Sequence, residues 1–226
     1  MDSEWSRLIE LAASIAASGK WEAIDKKITH LAANPAKGNA CWAQVFACLW
    51  YQVSSEYSLL KSAYAGKQRR DVALLAWRAR NLLELSVWCR YCAQSRDNAF
   101  RFYEDAGRDV AGIFDAFTKW GVATAQDSEW LDPIANAKLD LSSWAAAVGV
   151  HSLDGSYKEV RDAAQDCGLG EHFRVSFKML SKFAHPTAMQ ILGPADEGQA
   201  SLQMDYFFSQ GCLFYTGAFE AFEGLT

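Results

Sequence analysis

Apolar residues recur at intervals of three and four along nearly the whole chain, the spacing that gathers them on one face of an α-helix. Trp5, Leu8, Ile9, Ala12, Ile15 and Ala16 form the first such stripe, and Gly19 follows as a stop. A second helix carries Trp21, Ile24, Ile28 and Leu31 and ends before Asn34-Pro35. The third is long, running from Trp42 through Phe46, Leu49, Trp50 and Val53 to Leu60 and Tyr64. Beyond the basic turn Lys67-Gln68-Arg69-Arg70, Asp71 is placed to cap a fourth helix, expected over 71–95. Asp97 opens a fifth with Tyr103, Val110, Ile113, Phe114, Phe117 and Trp120, closed by Gly121.

Asp132-Pro133 reads as a cap followed by proline at the first helical position, opening a helix with Ile134, Ala137, Leu141, Trp144 and Val148 that stops at Gly149. Ser156-Tyr157-Lys158-Glu159 has the spacing of a capping box, and Cys167-Gly168 ends the short helix behind it. A further helix over 171–185 is halted by Pro186, because the residue before proline is disfavoured in the α region. After a loop with Gly193-Pro194, a last helix runs from Gln199 to Glu223. No alternating strand pattern and no fixed-period repeat interrupts the series, and short connections favour antiparallel neighbours. The expected fold is all-α: a single-domain antiparallel bundle of about seven to nine helices over residues 1–226.

Composition narrows the class. Half of the 226 residues are apolar and 22% are charged, enough for a sizeable core. Glycine and proline number only 15 and 4, so no linker is indicated. A net charge of −5 argues against a broad nucleic-acid footprint. The start, MDSEWSRLIELAAS, is acidic where a secretion signal needs a basic segment, and no run matches a membrane span, so a cytoplasmic protein is expected. Six cysteines without an export signal read as thiols rather than a disulfide framework. Cys89-Arg-Tyr-Cys92 has the spacing of a metal or redox site, but it lies in a helical apolar pattern with no histidine nearby. Buried structural cysteines fit better, and neither metal nor cofactor is expected.

Candidate chemistry concentrates on two helices. At 100° per residue, Glu84 falls in a stripe with Trp77, Arg80, Asn81, Trp88 and Tyr91. A carboxylate in the run Leu82-Leu83-Glu84-Leu85 needs a partner, and Arg80, one turn earlier, supplies it. The pair reads either as a clamp that fixes helix register or as a polar ligand site walled by Trp88 and Tyr91. On the 171–185 helix, Phe173, Phe177, Leu180 and Ala184 oppose Arg174, Lys178, Ser181 and His185. That polar face is either solvated or binds an anion, with His185 at the helix end where the dipole favours its cationic form. His30, His151 and His172 are isolated, and the 67–70 turn reads as a solvated surface. There is no phosphate-binding glycine loop, no G-x-S-x-G elbow, and no acid to complete a Ser-His-Asp triad. The aromatic last helix, Tyr206-Phe207-Phe208 through Phe214-Tyr215 to Phe219, reads as core, and part of it as a candidate homodimer surface.

The stretch ARNLLELSVWCRYCAQSRDNAFRFYEDAGRD from Ala79, with FKMLSKFAHPTA from Phe177, resembles an uncharacterised group of bacterial helical proteins that pair an R-x-x-x-E helix with a later S-x-x-x-H helix end. Arg80, Glu84, Ser181 and His185 stand at the matching places. More distantly the chain is similar to the HEPN helical domains, many of them metal-independent ribonucleases of toxin and defence systems. Those use an arginine and a histidine four to six positions apart, usually assembled across a dimer. Here Arg174 lies eleven and Lys178 seven positions before His185. Two functions follow as expectations. One is a binding module, defence-associated, holding a protein partner or small anionic ligand between the 71–95 and 171–185 helices through Arg80, Glu84, Trp88, Tyr91, Arg174, Lys178, Ser181 and His185. The alternative is an HEPN-like endoribonuclease acting on RNA. There His185 is the acid/base, Arg80 or Lys178 stabilises the phosphorane, and Glu84 orients them.

Overall fold

The helix ends follow from a few local residues. The computed structural model describes residues 3–33, 39–66, 71–150, 152–185, 187 and 197–225. Asn34-Pro35, the 67–70 turn, His151, Pro186 and Gly193-Pro194 lie outside them. Among the described residues there are nine helices and no strand: α1 (Ser3–Ala17), α2 (Lys20–Ala33), α3 (Asn39–Ala65), α4 (Val72–Gln94), α5 (Arg96–Ala123), α6 (Ser128–Val148), α7 (Val160–Asp166), α8 (Gly170–Ala184) and α9 (Glu197–Glu223). The all-α expectation holds. Asp71 accepts from the Leu74 N–H at 3.1 Å and so starts α4. Gly149 and Gly168, at φ 83° and 72°, turn the chain out of α6 and α7 through the left-handed region that a side chain would strain.

Three boundaries differ from expectation. Helix α6 begins four residues before Asp132, because Asp127 caps it by accepting from the Trp130 N–H at 3.2 Å, which leaves Pro133 inside the helix. The capping box at Ser156 and Glu159 does not form. Arg101 donates to the Ser156 carbonyl and Asp105 accepts the Lys158 N–H at 2.9 Å, so this segment stays non-helical and α7 waits until Val160. Nor does Gly121 stop α5, which continues to Ala123. A Cβ at Gly121 would lie 2.8 Å from the Trp130 ring and 2.9 Å from Leu131, so this glycine lets α6 approach.

The chain falls into two compact units. The first comprises residues 1–98 and 159–226 and is built around α4, which packs against α3, α7, α8 and α9. Helix α4 is accordingly apolar on most sides, burying Leu75, Ala79, Leu82, Leu83, Val87 and Cys89. Each such leucine contributes roughly 1.5–3 kcal/mol by leaving water. The aromatics of α9 complete this core. Phe207, Phe208, Phe214, Tyr215, Phe219 and Phe222 are all buried, and Tyr215 stacks on Tyr57 at 3.8 Å. The reading of α9 as core is therefore the one realised, and these side chains offer no dimer surface. From α2, Lys27 donates to the carbonyls of Glu223 and Leu225, capping the C-terminal end of α9 with a cation.

The second unit, residues 99–158, pairs α5 with α6. Its polar centre is a buried ion cluster. Arg108 donates to Asp105 at 2.6 Å and to Glu104 at 3.3 Å, Arg101 Nε lies 3.4 Å from Asp105, and the second Asp105 oxygen holds the Lys158 N–H. Burial and the Asp105 charge together push the neighbouring Asp109 carboxyl above its usual value.

Candidate functional site

The two helices singled out from the sequence meet in space through one side chain. Arg80 Nε donates to Glu84 Oε1 at 3.0 Å within α4, and its Nη1 lies 2.6 Å from His185 Nε2 at the end of α8. Its guanidinium carbon also sits 4.5 Å from the centre of the Phe177 ring. A guanidinium has no lone pair to offer, so Nε2 is the acceptor and the imidazole carries its proton on Nδ1. Phe177 and His185 stand four residues before and four after Ser181, and Arg80 touches both. Arg80 thus reaches the residues one turn before and one turn after Ser181. The Ser181 hydroxyl is shielded from solvent and has no hydrogen-bond partner among the described residues.

The seam is neither sealed nor fully open. Arg80 and Glu84 side chains are 21% and 31% exposed, and His185 is exposed. Burial pushes the Glu84 carboxyl above its usual value, and the Arg80 charge and hydrogen bond pull it part of the way back. His185 has extended backbone, φ −114° and ψ 152°, as a residue before proline requires. Thr187 donates to the Lys182 carbonyl at 2.9 Å and so occupies one of the carbonyls that α8 leaves unpaired at its end.

Other expected site residues lie elsewhere. Tyr91 is 5% exposed and buried, with its ring 6.0 Å from that of Trp88. Trp88 borders a shallow pocket of about 290 Å³ with Gln52, Glu56, Asn81, Glu84 and Leu85, beside the bidentate Arg78–Glu56 pair at 3.0 and 3.1 Å. Arg174 and Lys178 face a different groove, of about 810 Å³, formed by α7 and α8 over Phe173 and Phe177. There Arg174 is paired with Glu171 at 2.7 Å, whereas no described residue forms an ion pair with Lys178. The polar face of α8 is thus divided, with Phe177 at the edge common to both parts. The His172 ring packs against Phe214 at 6.1 Å, and His30 is exposed on α2.

Sequence reading missed the contact of Phe177 with Arg80, since the apolar stripe assigned that ring wholly to the core. It also missed the Arg101, Glu104, Asp105 and Arg108 cluster, although acids three and four residues before Arg108 carry the spacing of a helical ion pair. Cys89 and Cys92 are free and fully buried, and burial pushes both thiols up. Among the described residues no group of three His, Cys, Asp or Glu side chains is placed to hold a metal, and no helix is long and apolar enough to cross a membrane.

In this all-α chain one arginine joins an Arg-x-x-x-Glu helix to a Ser-x-x-x-His helix end. A family model matches residues 57–199, which include all four of those positions, and the chain belongs to that family, DUF5677, a family of unknown function. No curated protein and no solved structure matches it.

Proposed function

We propose that the protein is a binding module whose α4–α8 seam takes an oxyanion of the phosphate class, carried by a small molecule or a partner. The observation that supports this reading is the Ser181 hydroxyl, buried and without a partner, one turn before the His185 that Arg80 contacts. A buried hydroxyl left unpaired costs about 1–3 kcal/mol, and an oxyanion would recover it. In the free protein the outer N–H of Arg80 rests on the His185 lone pair. An oxyanion replaces that lone pair as acceptor of the Arg80 N–H, and Ser181 donates as well.

The test is a titration of inorganic phosphate followed through the His185 ring resonances. Saturable shifts are expected, weaker in Ser181→Ala and lost in Arg80→Gln. Unmoved resonances well beyond the roughly millimolar range of weak sites would refute the proposal.

The approach of Arg80 to His185 favours a second reading, HEPN-like cleavage of RNA without metal, with His185 as general base and Arg80 on the phosphorane. It stands behind the first because the lone pair such a base needs is engaged by Arg80. RNA cleavage in EDTA that disappears in His185→Ala, with the thermal melt unchanged, is what this reading requires. The free thiols and the sequence resemblance support a cytoplasmic, bacterial and defence-associated setting for either function.

A further inference from the structure

The groove between α7 and α8, about 810 Å³, has the size of a small-molecule site. Its floor is apolar. Phe173 and Phe177, one turn apart on α8, stack with centroids 5.2 Å apart and ring planes 27° from parallel, and Val160 of α7 joins them. Gly168, at φ 72° in the link between the helices, and Gly170, which opens α8, put no side chain into their end of the groove. It therefore stays open along α8 from Gly170 to Lys178, about 12 Å at a rise of about 1.5 Å per residue.

Charge at the rim is unbalanced. The lining carries three cations, Arg161, Arg174 and Lys178, against the carboxylates of Glu159 and Glu171, in a chain whose net charge is −5. Arg161 is paired with Glu159 and Asp162, each at 3.2 Å, and Arg174 with Glu171 at 2.7 Å. Lys178 has no ion-pair partner among the described residues. We propose that this groove binds a small apolar monocarboxylate, with a medium-length acyl chain along Phe173 and Phe177 and the carboxylate on Lys178. The chain covers the hydrocarbon floor, and burial of apolar surface supplies most of the affinity. Its single charge matches the one cation left over, where a neutral chain leaves Lys178 unpaired and a dianion exceeds it. The site is distinct from the α4–α8 seam and takes a different class of ligand.

Titration of the full chain with octanoate, and with octanamide as its neutral counterpart, tests this through the amide resonances of residues 160–178. Octanoate is expected to bind saturably, and octanamide about fivefold more weakly, as the loss of one exposed ion pair implies. Lys178→Gln should bring octanoate down to the octanamide level and leave octanamide unchanged. Lys178 is exposed, so the melt of that variant should match wild type. Gln165→Trp, at another exposed position of the lining, puts an indole into the groove and should weaken both ligands alike. Inorganic phosphate should not compete, because its proposed place is the Arg80 seam. No saturable shift well beyond the millimolar range, octanamide as tight as octanoate, indifference to Lys178→Gln or to Gln165→Trp, or displacement by phosphate would each overturn the proposal.

Discussion

Replacing Arg80 with alanine tests the seam at its hinge point, and its cost can be assembled from the contacts described. The ion pair with Glu84 is an i, i+4 pair on a partly exposed face and contributes about 0.3–0.5 kcal/mol. The guanidinium over Phe177 adds about 0.5–1 kcal/mol. The hydrogen bond to His185 adds about 1 kcal/mol, below the range for a buried charged donor because the acceptor is exposed. These terms share one side chain and are not independent, so a loss of about 2 kcal/mol is expected. For a chain of this length that lowers the melting temperature by roughly 4–8 °C. Urea denaturation followed by circular dichroism measures it directly. Arg80→Lys should recover less than half, because a single ammonium cannot reach Glu84, Phe177 and His185 together. A loss under about 0.5 kcal/mol for Arg80→Ala, within the range of ordinary surface changes, would refute the account.

Glu84→Gln removes a carboxyl that burial holds above its usual value of 4.5. A raised carboxyl in the folded state contributes stability below its unfolded value and loses it as pH rises through the folded one. Wild type should therefore lose stability relative to Glu84→Gln as pH is raised from below 4.5, which paired denaturation curves across pH would show. Asp105→Ala leaves Arg108 buried without its closest partner and should cost about 3–5 kcal/mol, seen as early melting with loss of far-ultraviolet signal. Gly121→Ala forces the Trp130 ring aside and should cost about 1–3 kcal/mol, with a shift in tryptophan emission.

Local signals carried most of the fold. Asp71, Gly149 and Gly168 mark helix ends because each acts on backbone groups within one turn, and those three ends fall where the residues say. Asp132-Pro133 misled because two candidate caps stand five residues apart, and the choice of Asp127 depends on how α6 seats against α5. The Arg80–Glu84 pair was legible for the same local reason, lying within one turn. Its contact with His185 spans 105 positions, and only tertiary packing brings those ends together. Tyr91 shows the converse limit. Its place on the polar stripe of α4 is correct as periodicity, but the stripe is not uniformly exposed: Trp77 is 43% exposed and Tyr91, two heptads on, only 5%.

The enclosure of α4 also sets an order of events during synthesis. The helix is finished at Gln94, yet α9, one of the layers that shields it, is complete only at Glu223. At ribosomal speed that interval is on the order of ten seconds, during which the leucines and cysteines of α4 lack part of their cover. A chain halted at residue 158 is expected to be cut by protease within 72–94, and one extended to 225 to be resistant. The bonds from Lys27 to the end of α9 tie a helix made before α4 to one made well after it, so they too close late.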